Sequence, residues 1–94
     1  MNYEAIGRCQ VLRKDVERLH LQRNSAITAL RGELRGVMGS IKGTVYTFDP
    51  EAAHRQLAEI EDTSRQLMEA VAEFNEWAPE AGERPITVAE PRLP

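Results

Sequence analysis

The stretch that decides the fold is residues 53–74, AHRQLAEIEDTSRQLMEAVAEF. Its seam residues recur at alternating steps of four and three, and they are Ala53, Leu57, Ile60, Ser64, Leu67, Val71 and Phe74. This spacing places one side chain per turn on the same face of an α-helix. The stretch therefore predicts a long amphipathic helix with one narrow apolar face.

Signals on both sides of this stretch predict where the helix begins and ends. Asp49 is a good N-terminal cap, Pro50 suits the first helical turn, and Glu51 complements the positive end of the helix dipole. Pro79 predicts the end, because a proline disfavours the α conformation at the residue before it. The expected helix spans residues 50–77.

A second helical pattern lies upstream, in a stretch without proline from Tyr3 to Met38. Its apolar residues recur at three- and four-residue steps in two runs, Ala5, Cys9, Leu12, Val16 and Leu19, and then, seven residues later, Ala26, Leu30, Leu34 and Val37. They predict a helix over about residues 3–38, which would be ~50 Å long. The heptad spacing slips after Ala26, which favours a straight or gently curved helix over a long supercoil.

The segments outside the helices complete the predicted fold. Residues 39–49, GSIKGTVYTFD, mix turn formers with β-branched and aromatic residues and predict a partly extended link. A short link between two long helices favours an antiparallel hairpin. Residues 79–94 hold four of the five prolines and predict an extended tail, whose Ile86 and Val88 are suited to docking in a groove. The predicted fold is all-α, with a helical hairpin in residues 1–78.

A hairpin of this kind is expected to need a partner. One apolar stripe packed on another offsets little of the conformational entropy lost when two long helices become ordered. A second copy or another protein would supply the missing burial. We therefore expect a homodimer, arranged as a four-helix bundle, that also binds another protein.

Composition and charge narrow the class of protein further. The single cysteine, Cys9, permits neither an internal disulfide nor a cysteine-based zinc site. No apolar run resembles a signal peptide or approaches the ~20 residues that span a bilayer, so a cytoplasmic location is expected. Residues 1–47 carry eight Lys/Arg and four Asp/Glu, whereas residues 48–94 carry four and eleven. The opposite charges of the two halves indicate either that the halves attract each other within the fold or that they bind two kinds of partner.

The sequence predicts no enzyme and no metal, cofactor or small-molecule substrate. The side chains with suitable chemistry are Cys9, His20 and His54, and the first two lie ~16 Å apart along one helix. A zinc site needs three or four converging ligands, and a nucleophile needs a base within hydrogen-bond reach. Neither a phosphate-binding glycine loop nor an HExxH pattern occurs.

Three helix features are candidates for binding a partner. Arg23 lies in the first apolar stripe beside His20 and opposite Ser64, where it either fixes the register within a polar layer or recognises a partner. The outward face of the first helix is rich in small residues, which either permit docking or merely weaken the helix. The outward face of the second helix is acidic, and is either solvated or directed at a basic surface. The partner-binding candidates are Arg18, Arg23, Gly32, Gly36, Glu69, Glu73, Glu76, Trp77, Ile86 and Val88.

The function that fits these features is a protein–protein interaction module, such as an adaptor, inhibitor or assembly factor. One alternative is a nucleic-acid-binding protein that uses the basic first helix, although the scattered positive charges and the sequence pI near 5.4 oppose it. Another is a structural subunit of a larger assembly. Small chains of this kind are often accessory proteins of phages or other mobile elements. Pull-down from the native host, followed by mass determination of the complex, would separate the three functions.

Overall fold

A computed structural model describes residues 2–92 and contains two α-helices, α1 from Tyr3–Met38 and α2 from Pro50–Ala81. No strand occurs in the described range. The helices pack against each other, and the prediction of an all-α chain with two packed helices is confirmed. Their contacts run in opposite sequence directions, since Cys9 packs with Ala78 and Leu19 packs with Leu67. Neither helix has the length and apolar character needed to cross a membrane.

Side-chain caps explain where both helices begin. The Asn2 side-chain oxygen accepts a hydrogen bond from the Ala5 N–H at 3.1 Å. Asp49 accepts from the N–H groups of Glu51 and Ala52 at 3.0 and 3.4 Å, which confirms the cap predicted there. These bonds satisfy N–H groups that have no partner within the helix itself.

The prediction that Pro79 stops α2 after Trp77 is wrong. The helix continues to Ala81, although Pro79 has no N–H to donate. Gly82 then adopts the left-handed conformation, with φ 72°, and its N–H donates to the Pro79 carbonyl. The N–H of the next residue reaches back to the Ala78 carbonyl at 2.9 Å. This Schellman closure and the complete burial of Ala78 outweigh the lost hydrogen bond.

The core lies at the end of the molecule where α1 begins and α2 ends. It has two clusters of buried residues, which are Cys9, Leu12, Phe74 and Ala78 in one and Leu19, Leu67 and Val71 in the other. Ile86 of the tail packs against both clusters. Ile86 therefore attaches the tail to the core.

The polar break in the α2 seam is Thr63, whereas the sequence pattern predicted Ser64. Thr63 is fully buried, while Ser64 is half-buried. The Thr63 hydroxyl donates to the Glu59 carbonyl at 2.7 Å and lies 3.2 Å from the Ile60 carbonyl. Because both acceptors belong to α2, this buried hydroxyl needs no partner from α1.

The link end of the molecule is built differently, because no residue from 27 to 62 is buried. The link, residues 39–49, contains one turn, in which the Thr44 N–H donates to the Ile41 carbonyl. Large apolar side chains are exposed throughout this end, and we call them the link-end apolar residues: Ile27, Leu34, Met38, Ile41, Val45, Tyr46, Phe48 and Leu57.

Candidate interaction surfaces

The tail turns back onto the helices, where one asparagine holds it. The Asn75 amide nitrogen donates to the Ile86 carbonyl at 3.0 Å, and the Ile86 N–H donates to the Asn75 side-chain oxygen at 2.8 Å. Arg13 adds a salt bridge to Glu83 at 2.7 Å. The docking groove proposed for Ile86 is thus provided by the helices of the same chain.

A groove remains open between the tail and the helices, with a volume of about 350 Å³. It brings together three of the predicted candidates, Arg23, Ile86 and Val88. We call it the tail groove, and its lining residues are Val16, His20, Arg23, Leu67, Met68, Val71, Ile86, Thr87, Val88 and Ala89.

The predicted polar layer around Arg23 is not formed. Within residues 2–92, no hydrogen bond joins Arg23 to His20 or Ser64, and the Nε atom of Arg23 is buried without a partner. The reason is geometric, because the buried polar position on α2 is Thr63, whose hydroxyl is already satisfied by its own helix. Arg23 instead borders the tail groove.

The charged candidates on the outward faces are solvated. Arg18 lies 3.8 Å from Asp15, and Glu69 lies 3.7 Å from Arg65, all of them well exposed. Glu73 and Glu76 are also exposed. Exposed pairs of this kind contribute at most about 1 kcal/mol to stability. Glu69, Glu73 and Glu76 follow one another at steps of four and three, so they lie on one exposed face of α2.

Trp77 and the two glycines occupy opposite ends of the molecule. Trp77 is half-buried against the first core cluster, and the guanidinium carbon of Arg8 lies 5.4 Å from its ring centroid. Gly32 and Gly36 are exposed on the half of α1 nearer the link. A Cβ atom at either glycine would meet nothing within 4 Å, so neither position is packed against another part of the chain.

Cys9 is the reactive side chain that the core encloses. Cys9 is 1% exposed, and burial raises the pKa of its thiol from the ordinary value of 9.0; Glu83 raises it further and Arg13 opposes the rise. A buried neutral thiol is a poor nucleophile. In the described part of the chain, no three His, Cys, Asp or Glu residues are placed to share a metal ion.

Sequence reasoning did not find the residues that hold the tail. Asn75 follows Phe74 directly and sits beside the apolar seam, but nothing in its neighbours indicates a partner eleven residues away. Arg13 is one of the scattered basic residues of α1, and its guanidinium carbon also lies 5.4 Å from the Phe74 ring centroid. Their pairing with the tail becomes visible only when the two helices are packed.

No protein-family model, curated protein sequence or solved structure shows significant similarity to this chain. The surfaces that the fold exposes are accordingly the basis for assigning a function. Two of them stand out: the link-end apolar residues and the tail groove.

Proposed function

We propose that this chain is a non-enzymatic protein-interaction module, an antiparallel helical hairpin that pairs with a second copy through its link end. The observation that carries the proposal is the exposure of apolar side chains there. Val45 is 95% exposed, Met38 83% and Ile41 62%. Apolar patches on a monomeric protein are usually small, and larger ones are typical of interaction sites.

The surface area of the chain supports the same proposal. Its accessible surface is 7559 Å², whereas a compact monomer of 10.6 kDa exposes about 5,500 Å². The radius of gyration is 18.7 Å, compared with about 12 Å for a compact chain of this length. The excess surface is larger than the ~800 Å² that each partner buries in an interface of standard size.

The link-end halves of α1 and α2 are suited to a four-helix arrangement. Ala26 on α1 and Thr63 on α2 are the buried residues nearest the link, so about 18 Å of α1 lies beyond the core. Leu34 and Leu57 are 46% and 44% exposed on this part of the two helices. In a bundle, the second copy would cover these side chains and complete the core.

A matched pair of leucine variants tests the proposed dimer. Leu34→Asp places a charge among the link-end apolar residues, whereas Leu21→Asp places the same charge at a position that is 69% exposed on the core half of α1. Sedimentation velocity should show a dimer for the wild type and for Leu21→Asp, and a monomer for Leu34→Asp. Equal dimer fractions for both variants would refute the proposed interface.

The proposal also includes a second protein partner in the cytoplasm, bound through helix faces and the tail. The exposed acidic face of α2 and the tail groove remain available at a distance from the link end. Pull-down from the native host with wild type and with a charge-reversed α2 face, Glu69→Lys with Glu73→Lys, tests this step. Capture of a partner protein that depends on neither the acidic face of α2 nor the tail would contradict this part of the proposal.

The nucleic-acid alternative has less support. Arg8 stacks near Trp77, Arg13 pairs with Glu83, and Arg18 lies near Asp15, so three basic residues of α1 already have acidic or aromatic neighbours. Phosphate binding would have to compete with these contacts. A salt-sensitive gel shift at micromolar protein would favour that alternative, and a ladder of oligomers would favour a structural subunit.

A further inference from the structure

We infer that the tail groove recognises a segment of a partner protein that presents a carboxylate next to an aliphatic side chain. This inference rests on the proposed function, because it names the chemistry of the second protein partner. It concerns the core end of the molecule, whereas the proposed dimer uses the link end.

The apolar part of the groove sets the size of the ligand group. Val16, Leu67 and Val71 form its helical side, and Ile86 and Val88 form the tail side. A volume of about 350 Å³ lies at the lower end of the range for ligand pockets, so it suits one or two side chains. Val88 is 59% exposed at this site, which leaves apolar surface for an aliphatic group to cover.

The charge of the groove indicates which polar group the ligand carries. Arg23 is the one permanently charged residue of the lining, and no Asp or Glu is among the lining residues, although the chain has a net charge of −3. Arg13 and Arg18, which lie nearby in sequence, have Glu83 and Asp15 as neighbours. Arg23 therefore has a charge that the surrounding residues do not balance.

The unpaired Nε atom of Arg23 also favours a ligand with a carboxylate. It is buried without a hydrogen-bond partner in residues 2–92. A buried donor without an acceptor is costly, and a carboxylate is the acceptor that matches a guanidinium most closely. A partner carboxylate at the groove would pair with this guanidinium once the side chain turns its Nε toward the ligand, while the neighbouring aliphatic group covers Val88.

The tail also offers backbone groups to an extended partner segment. Within the described residues, Thr87, Val88 and Ala89 make no backbone hydrogen bond, and all three are exposed. Ile86 is anchored by Asn75, so the residues that follow it are held at the edge of the groove. A peptide that lies along them can pair with their free N–H and carbonyl groups.

Two small probes that differ in one charge test the inference on the full chain. N-acetyl-leucine carries an isobutyl group and a carboxylate, and N-acetyl-leucinamide carries the same isobutyl group without the charge. In an NMR titration, the acid should give saturable shifts of the methyl signals of Val16, Leu67 and Val88. The amide should bind at least tenfold more weakly.

Arg23→Leu should reduce binding of the acid to the level of the amide. Lys14→Leu, which removes a positive charge from an exposed position of the same helix, is the control that should bind like the wild type. Equal affinity for acid and amide in the wild type, or no saturable shift with either, would overturn the inference without any variant. Retained acid selectivity in Arg23→Leu would also overturn it, with circular dichroism confirming the fold. Leu34→Asp should bind the acid normally, so a failed dimer and a failed groove give different results.

Discussion

The side-chain amide of Asn75 pairs with the backbone of Ile86 through two hydrogen bonds of 3.0 and 2.8 Å. A carboxamide presents a donor and an acceptor side by side, as a neighbouring strand would, so α2 offers the tail a backbone-like partner. The Ile86 side chain then contacts both core clusters. This one pairing joins an irregular segment to the helices and creates one wall of the tail groove.

Asn75→Ala should detach the tail. The change leaves the Ile86 N–H and carbonyl without partners, so we expect a loss of about 1–3 kcal/mol in the free energy of unfolding. The Ile86 amide should also exchange with solvent faster. Urea unfolding and hydrogen exchange measure the two effects. Asn24→Ala, at an exposed asparagine of α1, is the control, and equal losses for the two variants would contradict the role given to Asn75.

Two glycines of the link provide a matched test of the Tyr46 contact. Gly39 and Gly43 have φ values of 59° and 84°, so alanine is strained at both, by about 1–2 kcal/mol. At Gly39 the added Cβ would also collide with the Tyr46 ring, whereas at Gly43 it meets nothing. Gly39→Ala should therefore cost about 1 kcal/mol more than Gly43→Ala in thermal unfolding. Adding Tyr46→Ala should remove the difference, and a difference that persists would exclude the ring as its cause.

Gly32→Ala should stabilise the protein. Gly32 lies inside α1, and a methyl group there meets nothing within 4 Å. Alanine is favoured over glycine in a helix by about 1 kcal/mol, so the midpoint of thermal unfolding should rise. A lower midpoint that depends on protein concentration would instead show that a second chain packs closely at this glycine.

The buried Cys9 thiol should make stability fall at high pH. Burial raises its pKa in the folded state above 9.0, while the unfolded thiol ionises near that value. The unfolded state thus binds fewer protons as pH rises above 9.0, so the free energy of unfolding decreases. Chemical unfolding of the wild type and of Cys9→Ala across this range measures the effect. The decrease should be smaller in Cys9→Ala, and identical pH profiles would exclude a contribution from the thiol.

The two helices could be predicted from sequence because their signals are local. Apolar spacing defines both helices, and Asp49 with Pro50 marks the start of α2 within a few residues. The exact face of the seam is harder to predict, since a repeat of 3.5 residues drifts against 3.6 residues per turn. That drift explains why the buried polar residue is Thr63, whereas the seam pattern predicts Ser64.

Features that join distant segments could not be predicted in the same way. The helix continues past Pro79 because Ala78 is buried and Gly82 closes the last turn, and the first of these causes is tertiary. The tail groove needs α1, α2 and the tail together. The sequence predicts that two helices alone bury too little apolar surface. The structure shows where the uncovered surface lies, since most of the exposed large apolar side chains are at the link end.

The central claim is that the link ends of two chains pack together, and the mass of the wild-type protein in solution tests it most directly. Sedimentation equilibrium at micromolar concentrations should give about 21 kDa, which is twice the chain mass of 10.6 kDa. Dilution should lower this mass, and Leu34→Asp should lower it at every concentration. A constant mass of 10.6 kDa for the wild type over the same range would contradict the account.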